Sequence, residues 1–334
     1  MIEYIYFEVG IEDHPRTQEF FRRFPKATKI PCNHYKEVFN PRGQSFRLQK
    51  KNPALILAKQ NGKKIHPIPA SYGVGGSQNF YFSHLLNCLY DCRYCFLQGM
   101  FPSAHYVLFV NFEDFQSEIK KKHDDLGDSP SWFFSGYDCD SLALESLTGF
   151  AQDFIPFFRK LPNSWLEIRT KSIASQVLEK TDPLDNAVVA FSFTPEEISQ
   201  QLEHKVPSVQ SRIKAMKKLA NLGWKIGLRI DPIIDCVDFN TRYAKLFEQL
   251  ITALPAESLH SVSLGAFRMP TGFFRSIQKL YPKEQLFSGK LEKKNGNIAY
   301  RAEIEKERIS TCQSLLLSHI PKEKLYLCDP VEIK

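Results

Sequence analysis

The sequence predicts an α/β protein organised around a parallel sheet, either an open doubly wound sheet or a partial barrel. Two observations carry this. From residue 79 onward, apolar runs of strand length alternate with longer segments of helical periodicity, giving six βα units in series. Residues 1–75 instead hold short apolar runs broken by Pro15, Pro25, Pro31, Pro41, Pro53, Pro67 and Pro69, which predicts a small irregular N-terminal region. The chain therefore divides into residues 1–75, a central unit at 76–285, and a C-terminal hairpin and helix at 286–334.

The predicted strands are 79–83, 131–136, 165–170, 187–193, 225–230 and 261–267, and the predicted helices 112–124, 141–160, 172–180, 195–221, 240–254 and 271–281. Thr194, Pro195 and Glu197 read as a capping box with proline in the first turn, so the strand ending at Phe193 hands over directly to a helix. Ser208 is placed to cap a second helical piece, where Ile213, Met216, Leu219 and Ala220 recur at helical spacing before Gly223 ends it. Right-handed crossovers between parallel strands put reactive loops at the strands' C-terminal ends. Near the C-terminus, Asn295-Gly296 within KLEKKNGNIAYR predicts a hairpin with a tight type I′ turn. Its Lys290, Lys293, Lys294 and Arg301 suit phosphate contact and its Tyr300 base stacking, although the hairpin reads equally as a solvated sheet edge.

Composition narrows the classes. The 334 residues are 43% hydrophobic and 24% charged, enough for a large core. The opening MIEYIYFEVGIEDH lacks a basic start followed by an apolar run, and no segment approaches about 18 uninterrupted apolar residues. A soluble cytoplasmic protein is the expectation, without membrane association. The net charge of +7 permits contact with phosphates. Basic residues cluster at Lys50, Lys51, Lys59, Lys63 and Lys64, at Lys120 to Lys122, and at the hairpin, a pattern that more often marks a solvated face.

The densest chemistry lies in CLYDCRYC, residues 88–95, which gathers three of the chain's eight cysteines just after the first predicted strand. By chance such a C-x3-C-x2-C triple is expected about 0.005 times in a chain of this composition. The other cysteines, Cys32, Cys139, Cys236, Cys312 and Cys328, stand singly, which argues against a disulfide framework. Zinc is one candidate, with His84 as a fourth ligand four residues before Cys88. Three thiolates on one short loop suit better three irons of a [4Fe-4S] cluster whose fourth iron stays open to a non-protein ligand.

Cys88, Cys92 and Cys95, with Tyr94 immediately before the last, resemble the signature loop of radical S-adenosylmethionine (SAM) enzymes. That resemblance implies a partial (β/α)6 barrel, SAM on the open iron, and a 5′-deoxyadenosyl radical generated by an electron from an external one-electron reductant. CRYCFLQ, YVLFVNFED, WLEIRTK, AVVAFSF, SRIKAMKKLANLGWKIGL, LYPKEQL and NIAYRAEIEKERI are similar, in order and spacing, to spore photoproduct lyases and their wider family of DNA repair proteins. The resemblance spans roughly residues 50–315 and implies reversal of a pyrimidine photoproduct in DNA. It also implies that Lys171 and Ser192, at the ends of the third and fourth strands, hold SAM, with Ser135 and Gly136 offering close backbone.

Two positions depart from the family pattern. Where the lyases carry a hydrogen-donating cysteine followed by x-Ser-Asp, this chain reads Tyr137, Asp138, Cys139, Asp140, so the donor position holds tyrosine and a cysteine lies two residues on. Two residues of extended backbone preserve facing, which makes Tyr137 and Cys139 the candidate hydrogen donors, with Tyr94 retained in the relay. Phe96 stands where the lyases place a second relay tyrosine. A damaged base is expected to flip into the barrel mouth. The alternatives are a radical SAM enzyme of the same lineage acting on another nucleic acid or small molecule, and a zinc or cluster protein that binds nucleic acid without catalysis.

Overall fold

The computed structural model describes residues 2–68, 72–76 and 78–328. All six predicted strands are present, at Gln78–Phe82, Ser131–Ser135, Ser164–Thr170, Ala187–Ser192, Lys225–Ile233 and Leu259–Ala266. They lie side by side in chain order and pair in parallel, with Leu325–Leu327 added beyond the last and Ile65–Pro67 antiparallel beside the first. An order that never reverses excludes the doubly wound alternative, and the sheet curls into a half-barrel.

The N-terminal residues differ from the irregular region expected of them. Tyr4–Glu8, Thr28–Cys32 and Leu55–Ala58 form a parallel sheet that continues through Tyr106–Phe109, with Leu85–Leu86 antiparallel at its end. The prolines punctuate this sheet without breaking it. Pro15 opens the helix Pro15–Arg23, and Pro31 lies on the edge strand, where a missing N–H is tolerated. Because Leu55–Ala58 pairs with a strand far along the chain, Ile5, Leu55, Leu57, Val107, Phe109 and Phe115 share one apolar core with the barrel. The two sheets interleave along the chain: Ile65–Pro67 and Gln78–Phe82 belong to the barrel sheet, whereas Leu85–Leu86 and Tyr106–Phe109 belong to the N-terminal one.

The helices follow the periodicity with three differences. The segment 141–160 splits into Glu145–Thr148 and Phe150–Phe158, because Gly149 between them is left-handed at φ 63°. Only Gln176–Glu179 of 172–180 is helical, and 195–221 divides into Glu196–Leu202 and Val209–Asn221. Thr194 does not cap: its buried hydroxyl has no partner and the cap position falls on Pro195. Ser208 does cap, accepting from Ser211 N–H. Among the described residues no helix is long and apolar enough to cross a membrane.

On the sheet face away from the helices, Trp132 stacks on Trp165 at 4.8 Å and both meet His260. Above them Arg229 reaches across a strand to Glu167, donating from Nη2 at 2.7 Å and Nε at 3.1 Å, with both side chains buried. Gly227 clears the space, since a Cβ there would sit 2.7 Å from the guanidinium. Burial works against the Glu167 carboxylate, but the Arg229 charge and hydrogen bonds outweigh it and hold its pKa below the ordinary value. Removing one partner of such a pair strands the other without solvent. Glu167→Ala is therefore expected to cost about 3–5 kcal/mol of stability, read by denaturant unfolding.

Candidate active site

After Leu85–Leu86 the chain turns at Asn87, which adopts φ 71° and donates its amide to the carbonyls of Ser103 and His105. The cysteine loop that follows is fastened as a strand. Asp91–Cys92 pairs antiparallel with Glu203–His204, and Arg93 N–H donates to Leu202 O at 2.8 Å. Tyr94 is buried and donates its hydroxyl to Glu203 Oε1. The other carboxylate oxygen accepts from Arg212 and Ser199, each at 2.6 Å, and Arg212 also donates to the carbonyl of Ser192 at 2.8 Å. Loop and strand end are thereby joined through one buried network.

The three thiols sit within this frame. Burial raises the pKa of each, that of Cys88 to about 12 and that of Cys92 well above the ordinary thiol, with Asp140 adding to the rise at Cys88 and the Cys95 thiol to that at Cys88 and Cys92. The Lys171 charge acts in the opposite direction on Cys92 and Cys95, and its ammonium lies 5.5 Å from the Tyr94 ring. Tyr90 N–H points to Cys88 Sγ at 3.4 Å. Among the described residues no three His, Cys, Asp or Glu side chains are grouped to hold a single metal ion. His84, the proposed zinc ligand, instead stacks on Phe150 at 4.0 Å, and burial lowers its pKa to about 3. Three thiols on one loop, spread too widely for a single ion and with no fourth donor grouped beside them among the described residues, fit a cubane better than zinc.

At the end of the second barrel strand, Ser135 Oγ is held to Ser141 and to Glu167 O, each at 2.8 Å. Gly136 has φ 80°, and a Cβ there would meet Ser141 Oγ at 2.5 Å. Tyr137 emerges exposed, its ring 4.5 Å from Tyr81 and 5.6 Å from Phe96. Burial of its hydroxyl end and the neighbouring Tyr81 raise its pKa to about 12, so it remains a phenol at neutral pH. Cys139 turns inward and is buried in the main core, with its pKa raised by burial and then by the Cys88 thiol. Asp140 accepts from Leu142, Ala143, Thr170 and the Lys171 N–H, which fixes the ends of two strands together.

The sequence-predicted residues thus converge: the cysteine loop, Tyr137 and Lys171 all lie at the strands' C-terminal ends, with Ser192 buried beside them. Glu203, Arg212 and Lys50 were not singled out for the site. Lys50 read as part of a surface cluster, yet it is buried and donates to Cys88 O at 2.6 Å. Lys50 and Glu203 meet the loop through partners 38 and 109 residues away in the sequence, which no local pattern marks, while Arg212 joins the site through Glu203, nine residues before it. Tyr300, expected on the hairpin surface, is buried and accepts from Asp235 N–H. The hairpin itself forms, with Asn295 at φ 48° and Gly296 at φ 77°.

A curled parallel sheet with three thiols on the loop after its first parallel strand, a lysine and a serine at later strand ends, and no fourth protein ligand defines the class of radical SAM half-barrels. The family model described as spore photoproduct lyase matches residues 77–320. Similar curated proteins include the spore photoproduct lyase of a Geobacillus species, 24% identical over 71% of this chain and 73% of that one. That of Bacillus subtilis is 26% identical over 60% of this chain and 59% of its own. Among solved structures, a spore photoproduct lyase mutant with bound AdoMet and dinucleoside spore photoproduct shares the fold at a TM-score of 0.85, 20% identity and 99% coverage of both chains. Another, complexed with dinucleoside spore photoproduct, gives 0.83 at 21% identity and 98% coverage of both.

The chain belongs to the spore photoproduct lyase family. It is accordingly a radical SAM lyase of DNA repair whose cofactors are a [4Fe-4S] cluster and SAM. After anaerobic reconstitution it is expected to carry about four irons per chain. Cys92→Ala should abolish cluster assembly in iron and sulfide analysis, whereas His84→Leu should retain the iron.

Proposed function

We propose that this chain reverses a thymine photoproduct in DNA with Tyr137, rather than a cysteine, as the hydrogen donor to the repaired base. The observation that carries the reading is the opposite placement of the two candidates. Tyr137 is exposed at the mouth as a protonated phenol, while the Cys139 thiol faces the packed core. Cys88, Cys92 and Cys95 would hold the cluster, which together with SAM would supply the radical chemistry that activates the substrate. The protein's own groups then orient and finish it.

Lys171 offers an ammonium, and Ser192 and the Gly136 backbone offer small polar surfaces, for the SAM methionine and nucleoside. The Ser135 hydroxyl is committed to Ser141 and Glu167, so its role is to hold the Gly136 turn. Tyr94, committed to Glu203, positions the loop and takes no part in relaying hydrogen. Lys290, Lys293 and Arg301 are exposed for contact with DNA phosphates. In the closing step the Tyr137 O–H bond breaks homolytically and a C–H bond forms on the thymine carbon radical. One electron and one proton from an external reductant return the phenoxyl to phenol.

The test is an anaerobic incubation of reduced, reconstituted protein with SAM and an oligonucleotide bearing the lesion. Thymine is the expected product. Tyr137→Phe should lower its release by about tenfold or more, and Cys139→Ala should leave the rate within about twofold. The reverse pattern would assign the donor role to Cys139. A second reading, a related lesion or modified nucleic acid as substrate, is favoured by the two departures at Tyr137 and Phe96. Release of 5′-deoxyadenosine without thymine would support it.

A further inference from the structure

We propose that Lys50 sets the reduction potential of the cluster, an inference that rests on reading Cys88, Cys92 and Cys95 as its ligands. Lys50 follows the short helix Phe46–Gln49 in the N-terminal sheet region, to which sequence reasoning gave no role. Its side chain crosses to the cysteine loop and is only 5% exposed. The ammonium donates to the Cys88 carbonyl at 2.6 Å, and the Lys50 carbonyl in turn accepts from Lys205 Nζ at 2.7 Å, so the residue is fixed at both ends. Among the described residues no carboxylate lies within ion-pair distance of it, Asp91 being the acid whose charge reaches it. Burial lowers the Lys50 pKa and so does the Lys205 charge, while Cys88, Asp91 and Cys95 act the other way and favour the ammonium.

A buried cation in that place has one clear consequence. Reduction adds a negative charge to the cluster, and a positive charge fixed nearby in low dielectric favours the reduced form. Its removal should make the cluster harder to reduce. Lys50 is thus a positioning and tuning residue, not one that touches substrate.

The experiment is a redox titration followed by electron paramagnetic resonance on reconstituted full-length protein, with iron content measured for every variant. Lys50→Met and Lys50→Gln are each expected to disfavour one-electron reduction about tenfold, a fall of about 59 mV. Lys50→Arg, which keeps the charge, and Lys51→Met, which removes an exposed neighbour, should stay at the wild-type potential. Unchanged potentials in both neutral variants overturn the proposal. So does a wild-type potential in Lys50→Gln beside a fall in Lys50→Met, because glutamine keeps a donor for the Cys88 carbonyl and the effect would then belong to the hydrogen bond. Loss of iron from both neutral variants while Lys50→Arg loads normally also overturns it, by assigning Lys50 to assembly. Absence of any cluster signal from the wild type would instead refute the ligand reading beneath it.

Discussion

The Glu203 carboxylate is the tie on which the chemistry of this molecule depends. It is wholly buried, and it receives Tyr94 from the cysteine loop, Ser199 from the helix Glu196–Leu202, and Arg212 from the next helix. Burial of the charge alone is unfavourable, but Arg212 and two hydroxyls reverse the balance and hold its pKa below the ordinary range. The network is then fully engaged on the carboxylate side, which makes it rigid. Its geometric effect is to fasten two separate walls of the site to one point: the loop through Tyr94 and the end of strand Ala187–Ser192 through the Arg212 bond to Ser192. A cysteine loop held this way presents its sulfurs in place before any metal arrives, in keeping with the need for first ligands to be oriented by what lies behind them.

Much of this architecture was legible because its signals are local. Six apolar runs gave six strands, the Asn295-Gly296 pair gave the turn, Ser208 gave a cap, and the three cysteines gave the ligand loop. What escaped was non-local. The N-terminal strands are short and separated by prolines, and they acquire their identity only by pairing with one another and, through Leu55–Ala58, with Tyr106–Phe109 some fifty residues later. Lys50 shares a run of basic residues with exposed Lys51, and nothing in the run distinguishes the buried member from its neighbour. Thr194 matched a capping pattern by type and spacing, yet Pro195 took the cap position and left the threonine hydroxyl without a partner. Tyr300 faces inward because its ring packs against Phe267 in the apolar cluster that also holds the cysteine loop, and its hydroxyl accepts from Asp235 N–H.

The N-terminal sheet also changes what the half-barrel is. A half-barrel alone would leave the back of its cysteine loop open to water. Here Lys50 from that sheet region, and Asn87 anchored on the carbonyls of Ser103 and His105, close the loop from behind. Tyr106, on a strand of the N-terminal sheet, has its pKa raised first by burial and then by the Cys88 thiol, which locates the loop against that sheet. The thiols also cluster with Ile198, Leu202, Ile234 and Phe274 of the half-barrel, so the loop is enclosed from both sides, and burial is the first cause of the raised thiol pKa values.

On the proposed reading of Tyr137, the substitutions at residues 96 and 137 form one change rather than two. A tyrosine that gives up a hydrogen atom must not share it with a hydroxyl beside the cluster loop, where the radical would have a second exit. Phe96 closes that side: it lies 5.6 Å from Tyr137 and has no hydroxyl. On the other side Tyr81, at 4.5 Å and with its pKa also raised by burial, offers a phenol toward the opposite edge of the mouth. The pair of rings therefore gives the hydrogen path a single direction, away from the sulfurs. If Tyr137 is the donor, a phenol flanks it on one side and a ring without a hydroxyl on the side of the cysteine loop.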